Sequence, residues 1–84
     1  MKTKLPAWFD GLIYDIGDVV SNPFSGEEYE LTNIELSMYD FIMGSTMVME
    51  LAPKTVTKTE RMNLRKALDW FRKNNPQAYM VLLD

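Results

Sequence analysis

Apolar residues are concentrated in one long stretch, from Leu31 to Leu51, and the other patterns in the chain are arranged around it. A capping box marks its start, because the Thr32 hydroxyl can accept the backbone N–H of Glu35 while the Glu35 carboxylate accepts that of Thr32. Leu31 and Leu36 occupy the positions of a hydrophobic staple. The pattern predicts a long helix that begins beside Thr32.

The interior of this helix has no clean polar face, since apolar residues recur on every side of the helical wheel. A helix of this kind is buried on several sides or meets another chain, and 84 residues provide little else to bury it. We assign Met43 and Met47 to the core. Gly44 interrupts the middle, and one continuous or kinked helix is favoured over two shorter ones.

A β-hairpin is predicted before this helix. Two adjacent valines favour a strand, and the segment Ser21 to Glu28 is rich in turn-forming residues. The residues after the turn alternate polar and apolar, which is the period of a strand. The predicted arms lie near Ile16–Ser21 and Glu27–Leu31, and they must pack on helices because a lone hairpin is marginally stable.

A second helix is predicted after Pro53, which ends the first one. Thr57 and Glu60 form another capping box, and the helix should run to about Lys73. Its apolar residues share one side and form a predicted core stripe, consisting of Leu64, Ala67, Leu68 and Phe71.

A short helix is predicted at the C-terminus, where Asn75 can cap a helix with Pro76 at its first position. Residues 77–83 would add apolar side chains to the core, and a terminal strand is the alternative. Residues 1–84 are therefore expected to form a single α+β domain. In it, an N-terminal β-hairpin packs on two longer α-helices plus a short C-terminal helix.

Composition argues against most enzyme chemistry. The chain has no Cys and no His, so it lacks a thiolate, an imidazole base and the usual zinc ligands. Its glycines are isolated, and no phosphate-binding glycine loop is present. We expect no enzyme activity, no catalytic residues, no metal site and no cofactor.

Charge is unevenly distributed along the chain. Residues 1–53 contain two lysines and nine carboxylates, whereas residues 54–84 contain seven basic and three acidic residues, and the net charge is −3. The simplest interpretation is that the acidic first part and the basic last part face each other. The alternative is a dipolar surface that attracts a charged partner.

The excess of apolar surface in the long helix suggests a non-enzymatic protein-interaction module that self-associates or binds another protein. The chain has seven methionines, and methionine is common at adaptable binding surfaces. Met62 lies opposite the core stripe of its helix and is the best single candidate for an outside contact. The candidate partner interface comprises Met38, Phe41, Met49 and Met62.

Nucleic-acid binding is the alternative function. The helix predicted over residues 57–73 carries a basic side that could contact phosphates, namely Arg61, Arg65, Lys66 and Arg72. Asp69 lies within that side, and the sequence pI of about 4.8 disfavours nucleic acid as the partner.

The segment Asn22 to Gly44, NPFSGEEYELTNIELSMYDFIMG, resembles small uncharacterised proteins encoded by tailed phages, including marine ones. In those proteins an N-P-[FY]-[ST]-G turn precedes E-L-T and a helix with a Y-D-F-I-like core. The resemblance implies a phage accessory protein, with no assigned chemistry and no functional residues to transfer. The interaction module expected from the apolar excess would then self-associate or bind a host or virion protein.

The sequence contains no candidate membrane span, because its longest uncharged apolar run near the helix, Phe41 to Met49, is far shorter than the roughly 20 residues required. Asp10 interrupts the first apolar run too early for a signal peptide. We therefore expect a cytoplasmic protein with no membrane partner, located in the host cytoplasm if it is phage-encoded.

Overall fold

The computed structural model describes residues 4–83. A hairpin of β1 (Asp18–Ser21) and β2 (Glu28–Leu31) precedes the helices α1 (Asn33–Leu51), α2 (Lys58–Asn74) and α3 (Pro76–Leu82), with a 3-10 turn at Pro53–Thr55. This order confirms the predicted α+β fold. The alternative of a terminal strand is wrong, because α3 is helical.

The hairpin strands are antiparallel and lie within the predicted arms. Asp18 is opposite Leu31, and Ser21 is opposite Glu28. Leu31 is buried, while most other residues of the two strands are exposed. The hairpin therefore covers the core with one end of β2 and leaves much of its surface in solvent.

The turn between the strands is held by hydrogen bonds of Asn22. Its side-chain oxygen accepts the backbone N–H groups of Phe24 (2.8 Å) and Ser25 (3.2 Å). Gly26 has a φ of 78°, in the left-handed region that glycine adopts without strain. The Asn22 side chain also donates to the carbonyl of Val81 (2.9 Å), which fixes the turn to α3.

Both predicted capping boxes are present. In α1 the Glu35 N–H donates to the Thr32 hydroxyl (3.2 Å), and the Thr32 N–H donates to the Glu35 carboxylate (3.0 Å). The corresponding distances at Thr57 and Glu60 of α2 are 3.1 and 2.8 Å. The α1 helix continues through Gly44, so the favoured prediction of an unbroken helix is confirmed.

The core lies where one side of α1 meets α2, α3 and β2. The predicted stripe of α2 is confirmed, since its residues are buried or packed against the buried cluster. The assignment of Met43 and Met47 to the core is wrong: their residues are 37% and 60% exposed. They lie on the side of α1 opposite Met38 and Ile42, which are buried.

A polar centre at Asn75 joins three elements at one end of the molecule. The Asn75 side-chain oxygen accepts the backbone N–H of Ala78 (3.1 Å) and the hydroxyl of Tyr29 (3.4 Å). Its side-chain amide donates to the Glu35 carboxylate (2.9 Å). The start of α1, strand β2 and the start of α3 are therefore held by one side chain.

Candidate interaction surface

The second half of α1 carries a set of exposed apolar side chains, which we call the α1 apolar face. It comprises Met43, Met47, Val48 and Leu51, which are 37%, 60%, 47% and 79% exposed. Met47 and Leu51 follow Met43 by four and eight residues, so these three share one side of the helix, and Val48 borders that side, three residues before Leu51. Adjacent exposed apolar residues of this kind are typical of a protein contact site.

The first half of α1 is covered by the segment that precedes the hairpin. The backbone N–H of Tyr14 donates to the buried Ser37 hydroxyl (2.9 Å). The rings of Trp8 and Phe9 pack against Phe41, with centroid distances of 6.2 and 5.4 Å. Beyond this contact, the side of α1 that faces away from α2 is open, which leaves the α1 apolar face uncovered.

A groove of about 410 Å³ adjoins this face. Gly44 and Val48 form part of its lining from α1, Leu12 from the N-terminal segment and Val56 from the start of the α2 region. A Cβ atom built on Gly44 would have no neighbouring atom within 4 Å. The surface over Gly44 can therefore accept a side chain from another molecule.

The groove has a negatively charged lining, because it includes the carboxylates of Asp10, Asp40 and Glu60. Hydrogen bonds with the backbone and the hydroxyl of Thr57 lower the pKa of Glu60. Desolvation raises the pKa of Tyr14, and the nearby Asp40 carboxylate raises it further, so this hydroxyl stays neutral. At neutral pH the groove favours a ligand that combines apolar groups with positive charge.

The four residues predicted as a partner interface differ in their exposure to solvent. Met38 is fully buried in the core cluster, so its assignment to a surface is wrong. Phe41 and Met49 are partly buried and pack against the core. Met62 is 49% exposed and is the one member of this set that projects clearly into solvent.

Sequence reasoning did not single out Val48 and Leu51 as surface residues. The spacing contained a signal, since Met43, Met47 and Leu51 lie opposite the buried Met38 and Ile42. That signal becomes decisive only when the side of α1 that packs on α2 is known.

The predicted basic side of α2 is exposed at all four of its residues, Arg61, Arg65, Lys66 and Arg72. Arg61 donates to the carbonyl of Pro53 (3.1 Å), and Arg72 forms an ion pair with Asp69 (2.8 Å). Two of the four cations are therefore partly engaged within the chain.

Within residues 4–83, no salt bridge joins the acidic first part of the chain to its basic last part. The one salt bridge within this range joins Arg72 to Asp69, and both residues belong to α2.

Within residues 4–83, no group of three or more His, Cys, Asp or Glu side chains is placed to hold a metal ion. No helix in the same range is long and apolar enough to cross a membrane. The chain matches no protein-family model, no curated protein and no solved structure.

Proposed function

We propose that this chain is a non-enzymatic protein-interaction module that either self-associates or binds a host or virion protein. The observation that carries the proposal is the α1 apolar face, which the chain leaves uncovered on a well-capped helix. We further propose that the protein is a phage accessory protein acting in the host cytoplasm, on the basis of the resemblance of residues 22–44.

Burial of the α1 apolar face would provide the driving force for binding. Complete burial of a Met, Val or Leu side chain contributes about 1.5–3 kcal/mol, and the face has four such side chains in partial exposure. The helix that carries them is already folded, so little conformational entropy is lost from its backbone on binding. The acidic groove beside the face adds a preference for a partner with positive charge.

A double substitution tests the role of this face. In the variant Met47→Glu/Leu51→Glu, two carboxylates replace the most exposed apolar side chains of the face. The matched control is Ile16→Glu/Met80→Glu, which adds the same charge at two other exposed apolar sites, 79% and 66% exposed. Circular dichroism should show that both variants stay folded, because exposed positions tolerate charge.

The readouts are light scattering over a range of concentrations and co-purification with proteins from a host lysate or from virions. We expect wild type and control to self-associate or to retain a specific protein, and the face variant to lose that property. A wild type that stays monomeric and retains nothing beyond what the face variant retains would refute the proposal.

Nucleic-acid binding is a second candidate because Arg65 and Lys66 are exposed on α2 and form no salt bridge within residues 4–83. Together with Arg61 and Arg72, they form a row of exposed basic residues along α2. The acidic net charge of −3 opposes this candidate.

Salt dependence separates this function from protein binding. If α2 contacts phosphates, affinity for a mixed-sequence DNA or RNA should fall steeply as salt rises, and Arg65→Glu should weaken it far more than the control Lys4→Glu. Absence of binding at low salt, or equal effects of the two substitutions, would exclude a nucleic-acid interface on α2.

A further inference from the structure

We propose that the groove beside Gly44 binds an arginine side chain of a partner protein, carried on a segment with neighbouring apolar residues. This inference rests on the proposed interaction function and names the chemistry of the partner. The groove has a volume of about 410 Å³, which is within the size range of ligand-binding sites. Its lining combines apolar walls with carboxylates and includes no basic side chain from residues 4–83.

Three separate parts of the chain form the walls of the groove, and each contributes one carboxylate. Asp10 belongs to the N-terminal segment, Asp40 to α1 and Glu60 to the first turn of α2. Within the described range 4–83, none of these three carboxylates forms a salt bridge. Every wall of the groove therefore carries negative charge, and a cation is the electrostatic complement of this lining.

The carboxylate of Glu60 is held in place on the α2 side of the groove. It accepts the backbone N–H of Thr57 at 2.8 Å in the capping box. The same hydrogen bonding lowers the pKa of Glu60, so this wall stays negatively charged at neutral pH. A ligand therefore meets a positioned charge here and not a freely rotating one.

The arrangement of the carboxylates favours an organic cation over a metal ion. No group of three or more acidic side chains in residues 4–83 is placed to hold a metal. A metal ion needs its oxygen ligands within about 2.0–2.6 Å of one point. A guanidinium group instead presents five N–H donors around a plane, so it can contact oxygen atoms that lie on different sides of a groove.

The apolar part of the lining suits the stem of an arginine. Leu12 and Val48 are 64% and 47% exposed, and Val56 adds an apolar wall from the α2 side. The aliphatic stem can pack on these side chains while the charged group reaches a carboxylate. Phe41 also lines the groove, and a guanidinium group packs favourably on an aromatic ring. Lysine is a more strongly hydrated point charge, so arginine is the better fit.

Two glycines shape the groove in opposite ways. A Cβ atom built on Gly11 would lie 2.8 Å from Cζ of Phe9 and 3.1 Å from Cδ1 of Phe41. The N-terminal segment therefore lies as close to these rings as a glycine allows. A Cβ atom built on Gly44 would meet nothing within 4 Å, so the lining leaves space above α1 for a ligand.

Titration of the isotope-labelled protein with capped tripeptides tests the assignment by NMR. The probes are acetyl-leucyl-arginyl-leucine amide and the same peptide with citrulline, an uncharged isostere, in place of arginine. We expect the arginine peptide to shift the amide signals of Gly11, Gly44 and Val56, with a dissociation constant on the order of 1 mM because the peptide is small. The citrulline peptide should bind about fivefold more weakly or worse.

Removal of carboxylates tests which residues hold the cation. The double variant Asp40→Asn/Glu60→Gln should weaken binding of the arginine peptide about tenfold, and glutamine preserves the capping box of α2. The matched control Glu27→Gln/Glu28→Gln removes two charges from the exposed hairpin and should change the dissociation constant by less than about twofold. Equal losses in the two variants would overturn the site, because they would reveal a general attraction to negative charge.

Other results would also overturn the proposal. These are equal affinity for the arginine and citrulline peptides, no binding at about 10 mM peptide, and signal shifts confined to residues outside the groove. Butylguanidinium, which carries the charged group without a peptide, provides a further arm. If it binds as tightly as the arginine peptide, the groove is a site for a small organic cation and the assignment to a partner protein is wrong.

These outcomes are independent of the test of the α1 apolar face. If the arginine peptide fails to bind while Met47→Glu/Leu51→Glu abolishes association, the groove assignment is refuted and the interaction function stands. If the peptide binds in the groove while the wild type and the face variant associate with nothing, the arginine site stands and the function assigned to the α1 apolar face is refuted.

Discussion

The two halves of α1 differ in their hydrogen bonds to the rest of the chain and in the exposure of their apolar side chains. The half from Asn33 to Ile42 is capped, hydrogen-bonded to the N-terminal segment through Ser37 and joined to α3 through Glu35 and Asn75. The half from Met43 to Leu51 packs Met49 against the core and exposes its other large apolar side chains. One helix thus combines a structural end with an end suited to binding.

The buried residues of α1 all lie in its first half, so we expect the stability of the fold to be concentrated away from the proposed interface. Substitutions in the second half of α1 should therefore change association more than folding, whereas substitutions in the first half should do the reverse. Measured free energies of unfolding can test this separation position by position.

The largest expected contrast is between Ile42→Ala and Leu51→Ala. Ile42 is 1% exposed, and its truncation should lower the free energy of unfolding by about 2–5 kcal/mol because it leaves a cavity. Leu51 is 79% exposed, and its truncation should cost less than about 0.5 kcal/mol in the monomer. Urea denaturation at low protein concentration measures both, and similar losses would contradict the division of α1.

Asn75→Ala should have the next largest effect. The substitution removes the cap of α3 and the hydrogen bond to Glu35, so we expect the free energy of unfolding to fall by about 2 kcal/mol. The matched control is Asn74→Ala, whose exposed side chain donates only to the carbonyl of Trp70 within α2. If both substitutions lower the free energy of unfolding by the same amount, the hydrogen bonds of Asn75 to other elements contribute nothing beyond local helix structure.

Ser37→Ala should lower the free energy of unfolding by about 1 kcal/mol, because the backbone N–H of Tyr14 loses its hydrogen-bond acceptor. Hydrogen exchange of the Tyr14 amide should accelerate in this variant. Ser45→Ala, in the other half of the same helix, should leave the Tyr14 amide unchanged. Unaltered exchange in the Ser37 variant would show that this hydrogen bond does not hold the N-terminal segment on α1.

Gly44→Ala should have the smallest effect and the opposite sign. The new methyl group meets no atom within 4 Å, and alanine favours the helix over glycine by about 0.5–1 kcal/mol, so the melting temperature should rise. Gly26→Ala is the contrast, because its φ of 78° penalises a side chain and the melting temperature should fall. A fall for Gly44→Ala would show that the surface over this glycine is occupied in the monomer.

Local patterns predicted most of the fold. Capping residues defined the starts of α1 and α2, and the turn residues between the two strands defined the hairpin. These features depend on neighbours within about four residues, so one sequence is sufficient to find them. The buried stripe of α2 was equally clear, because its polar and apolar sides are distinct.

The exposed side of α1 was harder to predict, because apolar residues surround that helix. Which side is buried depends on where α2 and the N-terminal segment pack, and these contacts join residues far apart in sequence. Met38 was therefore assigned to the surface and Met43 to the interior, the reverse of the observed arrangement.

The long sequence separation of the Asn75 contacts has a consequence for biosynthesis. Asn75 is 40 residues from Glu35 and 46 from Tyr29, so these bonds form only after Asn75 itself has left the ribosome. The apolar residues of α1 emerge well before that moment. Neighbouring nascent chains on one polysome would thus expose the apolar side chains of α1 to each other before the contacts of Asn75 are made.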